Sequence, residues 1–247
     1  MDGIRELNLK CNYIEDYLDL GKVEFKILRL ELNGQPFDFQ PGQFVMLAME
    51  DYPLWQDKAK LKWTSMSIAS TPLEKEYLEF CMTIKSTPGF SKHVGDTINV
   101  GVPMLVKGPY GRFILDQGAG RIAFIATGSG IAPIMGMIRT LAAIGYEKPF
   151  DLYYGFRNSN QFLYREELLS IVKSHPNFKI HTTISRDDPS WKGRHGYVQT
   201  LIEPAGFDGI NETQFYICGN PAMVDDIKKL LAAKGAKPEQ VRTEQWA

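Results

Sequence analysis

One segment of the chain, from Ile122 to Ile144, is almost entirely apolar and carries a single charge, Arg139. Its length would suffice to cross a bilayer as one helix. A Gly-Ser-Gly sequence at 128–130, followed by Pro133, interrupts the segment near its middle. Glycine and proline disfavour a continuous helix, so the pattern predicts a buried β-strand, a turn and a buried helix.

The turn in this segment is the strongest single candidate for a binding site. It follows a hydrophobic strand and opens a helix, as phosphate-binding loops do. Glycines let the backbone approach a ligand closely, and a helix N-terminus offers free N–H groups to a pyrophosphate. Proline replaces the last glycine of the common dinucleotide fingerprint and suits a first helical turn. A tight turn that binds no ligand is the alternative. The candidate residues are Thr127, Gly128, Ser129, Gly130 and Pro133.

Beyond the Gly-rich segment at 115–120, predicted strands and helices alternate. The strands cover 121–126, 150–155, 179–185 and 214–218, and the helices cover 131–144, 164–174 and 222–234. Such alternation is typical of a doubly wound α/β domain with a parallel sheet. We therefore expect an α/β domain over residues 121–247.

The chain up to about residue 114 has a different sequence pattern, in which no strand–helix alternation is predicted. Short β-rich segments at 22–32, 43–49, 63–70, 77–86 and 97–106 are separated by proline and glycine. Many short strands at near-regular spacing predict an antiparallel β-barrel, here over residues 1–114. A total of 247 residues leaves room for two modest domains.

Charge and composition exclude several classes of protein. The chain has 28 basic and 29 acidic residues, a balance that argues against a nucleic-acid binder and against an acidic disordered tail. The first residues contain no apolar core, so we expect no secretory signal and a cytoplasmic location.

The cysteines and histidines argue against a metal centre. Cys11, Cys81 and Cys218 lie far apart and cannot supply four thiolates to a zinc or iron–sulfur site within one chain. They are expected to be reduced thiols. The four histidines show no ligand spacing, although carboxylate ligands stay open.

Several short motifs follow one another in a fixed order. In the first half these are Pro41-Gly42-Gln43-Phe44, Ser67-Ile68-Ala69-Ser70, Gly89-Phe90-Ser91, Gly95-Asp96 and Gly108-Pro109-Tyr110-Gly111-Arg112-Phe113. In the second half they are Thr127 to Pro133, Tyr154-Gly155-Phe156-Arg157, Tyr164-Arg165-Glu166-Glu167-Leu168, Ser185-Arg186, Gly196-Tyr197-Val198-Gln199, Tyr216-Ile217-Cys218-Gly219 and Thr243-Glu244-Gln245-Trp246.

Together and in this order, the motifs resemble the ferredoxin–NADP reductase family, from about Lys22 to the C-terminus. The resemblance implies a flavin-binding barrel followed by a nicotinamide-dinucleotide domain. It also implies hydride transfer from NAD(P)H to the flavin and electron delivery to an acceptor. In such proteins the cofactor does the redox chemistry, while the protein supplies orientation and electrostatics.

By this resemblance, the Ser67 hydroxyl lies near the flavin N5. Thr64 and Met66 stand where the family has an arginine for the flavin phosphates and a tyrosine on the ring, with Ser65 between them. A flexible, polarizable methionine is able to cover an aromatic face. Threonine cannot replace a charge, and strand alternation would place Lys62 on the same face as Thr64. We therefore expect Lys62 to supply the charge, with a solvated surface lysine as the alternative.

The loop Gly89-Phe90-Ser91 precedes a short helical turn and, by resemblance, takes the flavin pyrophosphate. That role favours FAD, while the weakened position at Thr64 keeps FMN open. A simple hairpin loop is the alternative. Ile84 and Lys85, on the strand before it, are expected beside the ring.

In the second half, the resemblance assigns the 2′-phosphate and adenine of NADPH to Ser185, Arg186, Arg194, Tyr197 and Gln199. Forked arginine donors suit a phosphate. Asp187 and Asp188 follow directly, however, and a carboxylate would accept the free 2′-hydroxyl of NAD. NADPH is modestly favoured on balance. Other dinucleotide-binding candidates are Arg157, Gly219 and Met223.

The candidates for catalysis are Ser67, Cys218, Glu244 and Trp246. By resemblance, Cys218 lies against the nicotinamide C4, although a small buried cysteine would serve packing equally well. Glu244 and Trp246 match the family's acidic and aromatic ending, where the aromatic ring covers the flavin. A frayed terminus is the alternative.

The expected partner is an electron-acceptor protein: a ferredoxin, a flavodoxin or an oxygenase component. Lys58, Lys60 and Lys62 form a basic stretch that would steer an acidic carrier, or simply a solvated loop. Three other activities stay open. They are an electron-relay flavin subunit of a larger complex, a reductase of free flavin or ferric ion, and a flavin-free dehydrogenase.

Overall fold

The computed structural model describes residues 3–53, 57, 60–202 and 209–245. The chain divides into two compact units. The first contains Met1–Ile114 and Met135–Thr140, and the second contains Leu115–Ile134 and Leu141–Ala247.

The first unit is a curled antiparallel sheet with the strand order β4-β3-β6-β1-β2-β5. The two edges meet just after β4, where the Ala69 N–H donates to the Glu79 carbonyl at 2.7 Å. The predicted antiparallel barrel is thereby confirmed. Its elements are β1 (Arg5–Asp19), β2 (Lys22–Glu31), β3 (Phe44–Ala48), β4 (Thr64–Ser67), β5 (Tyr77–Thr83), α1 (Phe90–Thr97) and β6 (Pro103–Tyr110).

The longest strand, β1, is the main element that the sequence pattern did not predict. Only Leu9 and Cys11 are buried along its length, so most of its side chains are exposed and carry little hydrophobic periodicity. The strand forms because β2 and β6 pair with it on both sides. The segment predicted at 97–106 is displaced toward the C-terminus, since β6 extends from Pro103 to Tyr110.

The second unit is a six-stranded parallel sheet with the order β10-β9-β8-β7-β11-β12. Its strands are β7 (Arg121–Thr127), β8 (Phe150–Phe156), β9 (Phe178–Ile184), β10 (Arg194–His195), β11 (Thr213–Gly219) and β12 (Val241–Gln245). Its helices are α3 (Arg165–Ser174), α4 (Gln199–Ile202) and α5 (Pro221–Ala233). Helix α2 (Ile131–Ala143) begins and ends in this unit, while its residues 135–140 belong to the first unit. The predicted α/β class is confirmed, while β10 and β12 are additional strands.

Strand order in this sheet reverses between β7 and β11. The chain proceeds from β7 outward to β10 on one side and then returns to place β11 on the other side. Ligands of open parallel sheets bind at the carboxyl ends of the strands beside such a reversal. The predicted glycine turn follows β7 and therefore lies at that point.

The opposite, amino end of the sheet carries a buried ion cluster. Asp151 is 3% exposed and accepts hydrogen bonds from Arg121 at 2.7 Å and from His181 at 3.1 Å. Burial opposes ionisation of this carboxyl, but the hydrogen bonds from His181 and Arg121 and the electrostatic attraction of these groups together lower its pKa. The cluster ties three neighbouring strands together.

The apolar segment at 122–144 folds as β7, the turn and α2, as the sequence predicts. Among the residues that the structure describes, none of the helices combines the length and apolar character needed to span a bilayer.

Candidate cofactor-binding site

The glycine turn joins β7 to α2 through the three residues 128–130. Gly128 has φ 53°, a left-handed conformation that favours glycine, and residues 128–130 form a single 3₁₀ turn. The Ile131 N–H donates to the carbonyls of Gly128 and Ser129. The buried Tyr154 hydroxyl donates to the Gly128 carbonyl at 3.0 Å, so the turn is held from the neighbouring strand β8.

Two glycines bring the ends of β7 and β11 into close approach. A Cβ on Gly130 would lie 2.7 Å from the Cys218 carbonyl carbon and 2.9 Å from the Gly219 nitrogen. A Cβ on Gly219 would overlap the Thr127 hydroxyl and the Met223 methyl group. The structure therefore brings five sequence-predicted residues together, and at Gly130 the neighbouring backbone atoms leave no room for a Cβ.

The other predicted residues near this turn have defined places as well. Pro133 is buried in the first turn of α2, where its missing N–H needs no partner. Strand register pairs Cys218 with Ala126 on one side and Glu244 on the other. Cys218 is fully buried and Glu244 is half-buried. Trp246 lies outside the described residues.

Three arginines lie near the carboxyl ends of β8 and β9. Arg157 follows β8 and Arg186 follows β9, and the Arg186 N–H donates to the Arg157 carbonyl at 2.9 Å. Arg194 begins β10, which pairs with the end of β9. All three residues are exposed, as is Ser185. This side of the sheet is therefore suited to an anion.

The Asp188 carboxylate is hydrogen-bonded to residues of its own loop and of a neighbouring loop. Its carboxylate accepts hydrogen bonds from the Ser159 N–H at 2.9 Å, the Ser190 N–H at 3.0 Å and the Ser190 hydroxyl at 2.6 Å. Hydrogen bonds from Ser159 and Ser190 hold the pKa of this carboxyl well below its usual range. Asp188 therefore fixes the loop between β9 and β10.

Tyr197 and Gln199 lie just before and within the short helix α4. The Tyr197 side chain is 72% exposed, which leaves its ring open to a planar ligand. Gln199 donates from its amide to Asp226 at 3.1 Å, whereas its Oε1 atom is buried without a hydrogen-bond partner among the described residues. A buried acceptor without a partner suits a ligand donor.

In the first unit, β4 holds the predicted flavin residues at one edge of the sheet. Ser67 is 3% exposed and pairs with Phe44 of β3. Met66 packs against the barrel core, while Thr64 and Ser65 are half-buried. The four residues thus form a regular strand, with Ser67 at its end.

Lys62 lies before β4, which begins at Thr64. The sequence argument assumed that strand alternation places Lys62 on the same face as Thr64, but Lys62 is not part of the strand. Its ammonium group lies 5.6 Å from the centre of the Tyr52 ring. Tyr52 stacks on His93 at 4.7 Å and meets the edge of Phe90 at 5.9 Å. The Tyr52 ring therefore lies between the Lys62 ammonium group and two residues of α1, Phe90 and His93.

The start of α1 is open to an anion. Gly89 precedes the helix with extended backbone, and its first turn contains no acid. Within the part of the chain that the structure describes, no side chain caps the N–H groups of this turn. The Ser91 hydroxyl accepts from the Lys85 N–H at 3.3 Å, which joins the helix to the end of β5. A Cβ on Gly95 would lie 2.6 Å from Ile84, so the helix packs closely on that strand. These groups suit a phosphate.

Comparison with known proteins identifies a known domain in the second half of the chain and relatives that extend over most of its length. Residues 124–229 match a family model described as the oxidoreductase NAD-binding domain. Ferredoxin–NADP reductase B of Sorangium cellulosum is 29% identical over 221 residues, which cover 87% of this chain and 88% of that protein. The reductase component DmpP of phenol 2-monooxygenase from a Pseudomonas species is 30% identical over 223 residues, covering 86% and 60%.

The chain is thus similar to ferredoxin–NADP reductases and to reductase components of oxygenases, and it contains an oxidoreductase NAD-binding domain. A ferredoxin–NADP⁺ reductase from Plasmodium falciparum, solved with 2′P-AMP, shares the fold with a TM-score of 0.80 at 22% identity, over 98% of this chain and 96% of that one. The chain spans 63% and 60% of the length of two of its oxygenase-reductase relatives.

Sequence reasoning missed Tyr52, His93 and Trp191, which contact or adjoin predicted site residues. Trp191 donates from its indole N–H to the Arg194 carbonyl at 3.0 Å and meets the Phe156 ring edge-on. Tyr52 and Trp191 lie in irregular segments, where no periodic pattern marks them, and His93 lies in the short helix α1. Only their contacts show that they support predicted site residues.

Proposed function

We propose that this protein is a flavin-dependent oxidoreductase that takes hydride from NAD(P)H onto bound FAD and passes the electrons to a protein carrier. We assign the flavin to residues 1–114 and the dinucleotide to residues 121–247. The observation that carries the proposal is the close approach of Gly130 to Cys218-Gly219 at the strand reversal. Relatives named ferredoxin–NADP reductase and dioxygenase electron transfer component support it.

In the second unit, the backbone of the glycine turn and the N-terminus of α2 would bind the dinucleotide pyrophosphate. The absence of a Cβ at Gly130 lets the end of β7 approach the backbone of Cys218 and Gly219 closely. Cys218 and Glu244 are neighbours in the strand register and would face the nicotinamide. Their role is to orient the ring, because orientation of the reacting atoms is a large part of catalysis.

In the first unit, Thr64 to Ser67 would hold the flavin ring, with Ile84 and Lys85 beside it. A bound flavin accepts a hydride and releases electrons one at a time, chemistry that no side chain supplies. Gly89, Phe90 and Ser91 would bind its pyrophosphate, since the start of α1 has no side-chain cap. That pyrophosphate site is why we propose FAD and not FMN.

The charge of Lys62 can be tested through flavin affinity. We expect Lys62→Ala to weaken FAD binding about tenfold, because one charge-assisted phosphate contact is lost. Titration of the apoprotein with FAD, followed by quenching of flavin fluorescence, gives the affinity. Lys75→Ala is a matched control, since Lys75 is an exposed lysine of the same unit paired with Asp38 at 3.3 Å. Equal affinity in both variants would contradict the role of Lys62.

We also propose NADPH as the preferred donor. The exposed Arg186 and Arg194 suit a 2′-phosphate, and Arg157 adds a third positive charge. Asp188 would favour NADH only if its carboxylate accepted the ribose hydroxyls, but that carboxylate already accepts three hydrogen bonds from Ser159 and Ser190. Tyr197 and Gln199 would hold the adenine.

Donor choice is tested at Arg186. We expect Arg186→Ala to raise the KM for NADPH about tenfold and to leave the KM for NADH unchanged, because only NADPH carries the 2′-phosphate. Steady-state kinetics with both nucleotides measure the change. Arg165→Ala, which removes an exposed arginine from α3, should leave both constants unchanged. A parallel rise in both constants for Arg186→Ala would contradict 2′-phosphate recognition.

The carrier is proposed to be a ferredoxin, a flavodoxin or an oxygenase component. The basic stretch predicted to steer it is weaker than its sequence implies. Lys60 is paired with Asp57 at 3.0 Å, and Lys58 lies outside the described residues. Surface ion pairs of this kind leave less charge for a partner. We place the protein in the cytoplasm, because three buried cysteines that are far apart in the sequence are typical of reduced thiols.

The decisive experiment for the proposed function is anaerobic reduction of the purified protein by NADPH and, separately, NADH. We expect a yellow protein whose flavin absorbance bleaches faster with NADPH. Bound flavin without bleaching would instead indicate an electron-relay subunit. A colourless protein that takes up no added FAD would overturn the proposal.

A further inference from the structure

The segment that follows β4, residues 68–71, is held by helix α2. Arg139 of α2 donates from Nη1 to the Ala69 carbonyl at 2.7 Å and to Glu79 Oε1 at 2.6 Å. Glu79 is fully buried on β5 and also accepts from Arg29 at 2.8 Å. One guanidinium group of α2 therefore reaches both a backbone carbonyl of this segment and a buried carboxylate.

The same helix approaches this segment at two further points. A Cβ on Gly136 would lie 2.9 Å from the Ser70 carbonyl oxygen and 3.1 Å from the Ile68 carbonyl oxygen. The Thr71 hydroxyl lies 2.9 Å from the Thr140 hydroxyl, which itself donates to the Gly136 carbonyl. Consecutive peptide groups of the segment are thus in contact with one face of α2.

Strands β5 and β3 hold the segment from its other sides. The Ala69 N–H donates to the Glu79 carbonyl at 2.7 Å, and the Glu79 N–H donates to the Ser70 hydroxyl at 3.2 Å. The Ile68 N–H donates to the Gln43 carbonyl at 3.0 Å. These hydrogen bonds restrict the backbone position of Ser67, which directly precedes the segment.

Stability alone does not require such an arrangement. Burial of ionised groups is costly, and apolar side chains of similar volume often stabilise a core as well or better. The network is also asymmetric. Arg29 binds only Glu79 among these groups and lies between the rings of Tyr13 and Tyr77, whereas Arg139 also binds the Ala69 carbonyl. A geometric role of Arg139 explains this difference.

We propose that Arg139 is a positioning residue: through its hydrogen bonds to Glu79 and to the Ala69 carbonyl, it fixes the position of Ser67 for flavin binding. The inference rests on the proposed function, since it takes β4 as a flavin-binding strand. Arg139 acts through the backbone of residues 68–70 and is not proposed to touch the flavin. Gly136 acts with it, because only a residue without a Cβ lets α2 approach these carbonyls.

The matched pair Arg139→Met and Arg29→Met tests the proposal, because each variant removes one guanidinium group from Glu79. Both should lower the Tm. We expect only Arg139→Met to weaken FAD binding, about tenfold, the loss typical of one charge-assisted hydrogen bond, and to alter the visible circular dichroism of the bound flavin. Arg29→Met should keep the wild-type FAD affinity and dichroism.

A second variant, Gly136→Ala, tests the same geometry without a change of charge and serves if Arg139→Met does not fold. Its Cβ should displace the segment and reproduce the altered dichroism. If the folded variants at Arg139 and Gly136 match Arg29→Met in FAD affinity and dichroism, the inference is wrong while the proposed function stands. Wild-type protein that binds no FAD would overturn both.

Discussion

Replacement of Gly130 by alanine is expected to lower kcat/KM for NADPH about 100-fold, the scale of loss that a misplacement of about 1 Å causes. The new Cβ would lie 2.7 Å from the Cys218 carbonyl carbon and 2.9 Å from the Gly219 nitrogen, and these are backbone atoms that cannot rotate away. The end of β7 must therefore separate from the end of β11. Stopped-flow reduction by NADPH measures the effect, together with the flavin content of the protein.

The control is Gly145→Asn, at another glycine of the same unit. Gly145 has φ 65° with no neighbouring atom within 4 Å, and asparagine tolerates this left-handed conformation. That variant should reduce at the wild-type rate. Flavin content should be unchanged in both variants, because residue 130 belongs to the second unit. Wild-type kinetics in Gly130→Ala would mean that the predicted dinucleotide lies elsewhere.

Glu79→Gln is expected to lower the free energy of unfolding by about 3–5 kcal/mol, the usual result when one partner of a buried ion network is removed. Glu79 is fully buried and receives hydrogen bonds from Arg29 and Arg139, at 2.8 Å and 2.6 Å. The neutral amide of glutamine leaves the guanidinium groups of Arg29 and Arg139 without a countercharge. Its NH₂ group is a hydrogen-bond donor and would face these two donors without an acceptor. Urea unfolding followed by circular dichroism measures the change.

Glu6→Gln is the matched control, since it removes a carboxylate from an exposed ion pair of the same unit. Glu6 lies 3.4 Å from Lys107, and the two side chains are 53% and 43% exposed. Exposed pairs of this kind contribute about 0–1 kcal/mol. A similar small loss for Glu79→Gln would show that the buried network contributes little to the stability of the first unit.

Two kinds of local signal made the fold predictable. The β7–turn–α2 segment is apolar on both sides of a glycine sequence, and the parallel strands of the second unit are continuous hydrophobic runs, as in β8, whose residues are all buried. The strand β1 has no such signal, because most of its side chains are exposed. Long-range pairing with β2 and β6, and not local preference, determines its structure.

The candidate site divides in the same way. Gly130 and Gly219 stand out in the sequence because glycine marks backbone conformation and close approach, which are local properties. Asp188 could be assigned either to a ribose or to its own loop, and the decision depends on Ser159, distant in sequence. Lys62 was placed by an incorrect strand argument, and its position near α1 follows from the Tyr52 ring.

By itself, the sequence determined the order of the two structural classes, the glycine turn and the motif series of a flavin and nicotinamide reductase. These features depend on hydrophobic periodicity and on backbone requirements that one residue type satisfies. Only the tertiary structure decided what Arg139 does: the single charge of an apolar helix binds a buried carboxylate on β5 and the carbonyl after β4. Such a role depends on which strands fold against the helix, and residues separated by 60 and 70 positions carry no local signal of their contact.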